Sequence, residues 1–258
     1  MNYTFREITN KKELEHFMKL RYETVLKSDL RCILKENEYQ LDVDVFDLHS
    51  KHFGLFCEDQ PAGYIRYVFP RNEHYDLNAF EIGLSLQLFS QETHNDKALE
   101  SMDHPKFPFL NYPDSPAGVQ SYYNSIREKG EDLIEPSRLT MFNGHKGIMN
   151  IAFMIECAII LYIINSNGRK YALVCCQSNN AKFYQRYGLQ KIEGSAHAIK
   201  GKEKNLPDYI YESLYLSVSN SCLSQQSLND TSIPAKFHSR LLSMYDEYTN
   251  HNQITREL

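Results

Sequence analysis

A chain of 258 residues is long enough to bury a real core, and one domain carrying an extension or an insertion is the expectation. Its net charge of −5, with 28 Lys and Arg against 33 Asp and Glu and no basic run, argues against a nucleic-acid partner. Six cysteines without CxxC spacing, and no secretory pattern at the first residues, point to reduced thiols in a cytoplasmic protein.

The elements follow in chain order. "YTFREIT" at 3–9 alternates as a first strand, and Asn10 followed by Glu13 predicts a capped helix running to about Leu26. After an acidic stretch, "HFGLFCEDQPAGYIRYVFP" at 52–70 predicts two strands, with Pro61 and Gly63 supplying the turn. Residues 71–132 are rich in Asn, Pro, His, Asp and Ser, with one apolar patch at 80–89; they predict an insertion holding one or two helices. "DLIEPSRLTMF" at 132–142 returns to strand character. The run "IMNIAFMIECAIILYII" at 148–164 has the length of a short membrane span, but Asn150 and Glu156 interrupt it, so a buried helix is expected and no transmembrane segment.

"KYALVCCQ" at 170–177 is a continuous apolar run, as in a strand covered on both faces. "NNAKFYQRYG" predicts a short helix stopped by Gly188, and strands are expected at 189–199 and 208–218. The polar residues 219–258 read as a peripheral extension with one helix near 234–247, leaving 1–218 as a single domain. This order is satisfied by an α/β fold with a central mixed twisted sheet and helices on both faces.

"QLDVDVFDLHSKHF" at 40–53 places Asp42, Asp44 and Asp47 within six positions, with His49 and His52 behind them. Three readings are open for it. A metal site needs converging ligands, and the stretch lacks the glycine and distal glutamate of a calcium loop. A solvated acidic turn is the second. The third pairs Asp44 and Asp47 with arginines, Arg21 and Arg66 being the natural partners, to form the wall of a polar pocket, and it is the reading that the resemblance given below favours. His49 and His52 read as surface or packing residues. In "EPSRL" at 135–139, strand alternation puts Glu135 and Ser137 on one face and Arg138 on the other. Glu135 is a candidate general base; its alternative is a strand-end ion pair with Arg138.

Two sets of residues carry a resemblance. "NNAKFYQRYGLQKIEG" at 179–194 is similar to the C-terminal motif of the GNAT N-acyltransferase superfamily, with Leu189 in place of the usual aromatic residue. Arg21, then Asp44 and Asp47 with Asp42 in the place of a glutamate, then Arg66 in "GYIR", then Glu135, Ser137 and Arg138 resemble in order the autoinducer-synthase branch. That branch includes N-acyl amino acid synthases and acyl-homoserine-lactone synthases, and the likeness spans about residues 15–195.

The resemblance implies a GNAT-type fold and transfer of a fatty acyl group from a carrier thioester, acyl-ACP or acyl-CoA, to the amine of a small molecule, an amino acid foremost. It implies no tightly bound cofactor and no metal. It gives Glu135, Ser137 and Arg138 catalytic roles and places Arg21, Asp44, Asp47 and Arg66 around the acceptor. Leu139 and Thr140, through strand N–H groups, and Lys146, Gly147, Asn179 and Tyr184 would meet the acyl carrier. "FNGHKGIM" offers Gly144, Lys146 and Gly147 but not the family's full glycine-rich pattern, a departure that an acyl carrier protein tolerates better than coenzyme A. Lys146, Arg169 and Arg186 would face an acidic carrier. The lactone synthases that use S-adenosylmethionine carry a tryptophan in the early helical region, and this chain has none. A GNAT-like acyl-binding module without catalysis is the reading from another class.

Overall fold

The computed structural model describes residues 1–28, 31, 34, 37–44, 46–47, 50–69, 107–111, 116–165, 171–200, 210–219 and 233–258. The apolar patch at 80–89, His49 and Arg169 lie outside them.

The chain opens with β1 (Asn2–Glu7) and α1 (Lys11–Leu26). The Asn10 side chain caps α1 by accepting from the N–H groups of Lys12 and Glu13. The Glu13 carboxylate is taken by Arg6, at 2.7 and 2.9 Å, and so serves as a strand-to-helix tie. Next come β2 (Ser50–Cys57) and β3 (Gln60–Val68). Their turn differs from the expectation. Glu58 and Asp59, both at positive φ (49° and 67°), make a two-residue connection, and Pro61 and Gly63 lie inside β3. Two consecutive left-handed residues match the right-handed twist of the flanking strands.

The insertion contributes α2 (Pro108–Asn111) and α3 (Ala117–Glu128). Then follow β4 (Leu133–Met141), α4 (Ile148–Asn165), β5 (Tyr171–Gln177), α5 (Ala181–Gln185), β6 (Gln190–Lys191), β7 (His197–Lys200) and β8 (Ile210–Ser219). The chain closes on α6 (His238–His251) and β9 (Gln253–Glu257). Among the described residues, no helix is long and apolar enough to cross a membrane.

One mixed sheet runs in the order β6-β8-β5-β4-β3-β2-β1-β9, with β7 also on β8. Residues 253–257 were expected to be peripheral; instead they pair antiparallel with β1, from Asn2↔Glu257 to Arg6↔Gln253. Their helix joins the main core through Leu241, Met244 and Tyr248. Buried Glu156 on α4 pins this segment, accepting from Arg240 (2.6 Å), Arg256 (2.9 Å) and the Tyr187 hydroxyl (2.9 Å).

Alternation along the strands sorts the core by face. Ile65, Tyr67, Ile134, Ala172 and Val174 pack toward α4 and α6. Tyr64 packs with Leu14, Phe17 and Met18 of α1, while Val68, Leu133 and Leu173 pack with Val119, Tyr123 and Ile126 of α3. Helices therefore cover both faces.

Two irregularities shape the middle of the sheet. The parallel ladder between β4 and β5 holds only Leu133↔Tyr171 and Ile134↔Ala172, after which the strands part. Opposite β3, the register shifts between Tyr64↔Thr140 and Arg66↔Ser137, so Arg138 and Leu139 together face Ile65. That is a β-bulge, and Arg138 sits in it at φ +58°.

Candidate active site

The parting of β4 from β5 opens a cavity of about 530 Å³ that passes through the sheet. On the α1 face its wall includes Thr24, Asp42, Arg66, Glu135, Ser137 and Arg138; on the α4 face it includes Ile151, Ile155, Ala158, Ile159 and Tyr162. One wing is thus charged and the other apolar.

The charged wing is built on buried arginines, each held by aspartates. Arg66, fully buried in β3, grips Asp44 with both Nη atoms at 2.6 and 2.9 Å, and Nη1 also reaches Asp47 at 2.6 Å. Its Nε donates to Ser137 Oγ at 2.9 Å, so Ser137 lies on the same face as Arg66. Arg21, from α1, donates to Asp42 at 2.9 and 3.2 Å and stands 3.9 Å from Asp47. Its guanidinium lies 4.4 Å above the Tyr64 ring, a cation–π contact that covers its flat side. Arg138 completes the set at 3.0 Å from Asp44 and 3.4 Å from Asp42.

This arrangement corrects the sequence reading twice. Arg21 belongs chiefly to Asp42, the aspartate left out of the expected pairing. Arg138 does not point away from Asp44: the bulge adds a residue to β4 and returns its side chain to the charged face. Glu135 forms no ion pair among the described residues, so the expected alternative of a Glu135–Arg138 bridge is not met.

Charge balance explains the ionisation of these groups. Burial alone would push Asp44 up, but Arg66 and Arg138 outweigh it and hold the carboxyl well below its ordinary range. Asp42 is likewise lowered, burial being overcome by Arg138 and Arg21. Asp42, Asp44 and Asp47 sit against Arg21, Arg66 and Arg138, and Glu135 forms no ion pair among the described residues. Burial raises it to about 8, opposed only weakly by the Phe109 N–H at 3.4 Å and by the distant field of Arg66.

Two residues that sequence reasoning passed over hold the acidic loop. His52 is buried and lowered to about 4, first by burial and then by the neighbouring arginines. Being neutral, it donates from Nε2 to the Asp47 carbonyl (3.1 Å) and accepts at Nδ1 from the Tyr64 hydroxyl (2.6 Å). The Asp44 N–H donates to Asp47 Oδ2 at 2.8 Å, closing a tight turn inside the loop. The only hint in the sequence was that His52 and Tyr64 fall on the same alternating face as Arg66. Among the described residues, no group of His, Cys, Asp and Glu is placed to hold a metal ion.

The remaining expected residues are less concentrated. Leu139, Thr140, Lys146 and Tyr184 line the cavity, together with Asn180. Asn179 is in the short helical turn Ser178–Asn180, and Gly147 stands exposed just before α4, outside the lining. Gly144, at φ +88°, makes the turn that leads there.

No family model and no curated protein matches the chain. Among solved structures, a polyamine N-acetyltransferase from Drosophila melanogaster superposes with a TM-score of 0.51 at 13% identity, over 84% of this chain and 99% of that one. An N-acyl amino acid synthase from uncultured soil microbes, FeeM, superposes at 0.45 and 10% identity, over 84% of this chain and 89% of that one. The AHL synthase LasI does so at 0.48 and 15% identity, over 87% and 91%. The likeness is one of fold: the chain shares its α/β architecture with that polyamine N-acetyltransferase.

Proposed function

We propose that this chain is an N-acyltransferase that moves a fatty acyl group from a carrier thioester, acyl-ACP or acyl-CoA, to the amine of an amino acid. The observation that carries the reading is Glu135, a buried carboxylate raised to about 8 at the point where a charged wing and an apolar wing of one cavity meet. A thioester needs both wings. Its acyl tail fits the apolar side against α4, and its amine partner fits the side where Asp42 and Arg138 border the cavity. For an amino acid, Arg138 at the rim is the cation that faces the carboxylate, leaving the nitrogen toward Glu135.

The chemistry balances without a covalent enzyme intermediate. Glu135, as carboxylate, accepts one proton from the ammonium, and the nitrogen lone pair forms a C–N bond at the thioester carbon. The carbonyl oxygen becomes an oxyanion beside the bulged edge of β4, where Leu139 and Thr140 border the cavity and backbone N–H groups stabilise it. As it collapses the C–S bond breaks, and the thiolate leaves with the second amine proton. A base whose pKa lies near the working pH combines availability with driving force, which is the position of Glu135. Ser137 holds Arg66 in place and so orients the wall.

Lys146 at the cavity mouth meets the phosphate of the carrier's prosthetic arm. The incomplete glycine-rich turn before α4 favours acyl carrier protein over coenzyme A as the donor.

The test is direct. The protein is supplied with acyl-ACP or acyl-CoA and a mixture of amino acids, and products are read by mass spectrometry beside a thiol assay. An N-acyl amino acid formed with one thiol per amide is expected. Absence of amide with every donor would overturn the reading, and a lactone made from S-adenosylmethionine would reassign the acceptor.

A further inference from the structure

His52 and Tyr64 are buried beneath the charged wing and neither lines the cavity, yet together they touch both of its supports. His52 stands directly opposite Arg66 in the β2–β3 ladder, and Tyr64 precedes Arg66 on the same face. The Asp47 carbonyl at 3.1 Å can only accept, so the His52 proton is on Nε2 and Nδ1 is left to accept from the Tyr64 hydroxyl at 2.6 Å. Two arms leave this pair. One runs through the acidic loop: Asp47 takes the Asp44 N–H at 2.8 Å, and Asp44 receives Arg138 Nη2 at 3.0 Å. The other runs through the Tyr64 ring, 4.4 Å from the Arg21 guanidinium; Arg21 holds Asp42 at 2.9 Å, and Asp42 stands 3.4 Å from Arg138 Nη1.

Both arms end on Arg138, one η nitrogen to each aspartate. The backbone of Arg138 gives little help in aiming it: the residue sits in the bulge at φ +58°, where the β3–β4 ladder passes from Tyr64↔Thr140 to Arg66↔Ser137 without pairing it. The direction of its guanidinium is therefore set by Asp42 and Asp44. We infer that His52 is a positioning residue for the acceptor: by fastening both arms it fixes the plane of the Arg138 fork, and with it the preference for an amine that carries a carboxylate. This rests on the acyl-transfer reading above, in which Arg138 faces that carboxylate. A planar fork recognises a carboxylate only when both are aligned, so a small rotation weakens the acid while leaving a neutral amide nearly untouched.

The test supplies each standard amino acid, and its carboxamide, as acceptor with saturating thioester donor. Wild type should favour the acid of the best pair in kcat/KM by at least about tenfold, the size of one hydrogen bond to a charged group. His52→Gln keeps a donor toward the Asp47 carbonyl and moves the acceptor away from Tyr64. Its KM for the acid should rise and the acid-to-amide ratio fall toward one, while the KM for the donor holds. Tyr64→Phe removes one oxygen and loosens one arm, so its ratio should fall by less. Where His52→Gln melts early, Tyr64→Phe decides on the same ratio. A loss of kcat shared by acid and amide with the ratio intact would make His52 a packing residue and overturn the assignment, as would a wild type without preference. If no acceptor yields amide with any donor, the transfer reading fails by itself, and calorimetric binding of the same pairs takes the place of kcat/KM. A binding preference for the acid that both variants weaken leaves the positioning role standing; an absent or unaltered one overturns it.

Discussion

Two glutamates, Glu135 and Glu156, are equally buried, on opposite faces of the same sheet, and they are treated in opposite ways. Glu156 is saturated by two arginines and a tyrosine hydroxyl. Among the described residues Glu135 has one backbone N–H at 3.4 Å, while Arg21, Arg66 and Arg138 on its side each contact an aspartate. A carboxylate given partners becomes a joint between elements. One denied partners beside a cavity keeps an unsettled proton, which is what proton transfer requires.

That contrast can be broken most sharply at Glu135. Glu135→Gln should lower kcat by about 10²–10⁴ while leaving the fold intact, read by turnover and thermal melt. Wild-type kcat/KM should rise toward about pH 8 as Glu135 ionises, and the variant should lack this limb. Stability carries the complementary sign. With a folded pKa raised to about 8, Glu135 favours the native state below its ordinary value near 4.5, and that contribution is lost as pH rises to about 8. Urea melts should therefore show wild type losing stability across this window relative to Glu135→Gln.

Asp47→Ala comes next. Asp47 is fully buried against Arg66 and the Asp44 N–H, so its removal should cost about 3–5 kcal/mol of stability in a denaturant melt, with activity lost through the collapsed wall. Glu156→Ala should cost less, about 1–3 kcal/mol. Arg240 and Arg256 are exposed enough to regain water, and the orphaned Tyr187 hydroxyl is the main penalty. Its kcat should move little, in contrast to Glu135→Gln; a larger effect on rate than on melting would erase the distinction between the two glutamates. Arg138→Lys, at the 20% exposed rim, should lose up to about tenfold in activity with no change in pH profile, since the charge stays and the fork is lost. Exhaustive chelation should change nothing, because the aspartates are occupied by guanidinium groups.

The parts of the site that follow from local rules were legible beforehand. Arg66 with Asp44 and Asp47 is picked out by charge together with the ordered motif residues of the resemblance, and Glu135 with Ser137 by strand alternation. What escaped depended on broken alternation or long-range pairing. Arg138 occupies a left-handed position with no glycine to announce it, and one extra residue in β4 changes the side-chain face. Asp42 was separated from its partners because Arg21 reaches it across the loop, a relation that spacing along the chain does not encode. The pKa of Glu135 is a property of an enclosure, arising from Phe109, β3 and the arginine–aspartate balance together. Strand β9 was missed because "QITRE" is short and polar, as an edge strand is.

That last strand has a consequence for how the molecule comes to exist. While the chain is being synthesised, β1 emerges long before its outer partner at 253–257. Until that partner arrives, β1 presents an unpaired row of backbone groups, and Glu156 awaits the two arginines that will enclose it. Closing so distant a pair is slow because residues 8–252 must first be gathered between the two strands. A nascent chain stalled before α6 is thus an aggregation hazard with its charged wing already formed, and the residues that finish the sheet act as the final latch of assembly.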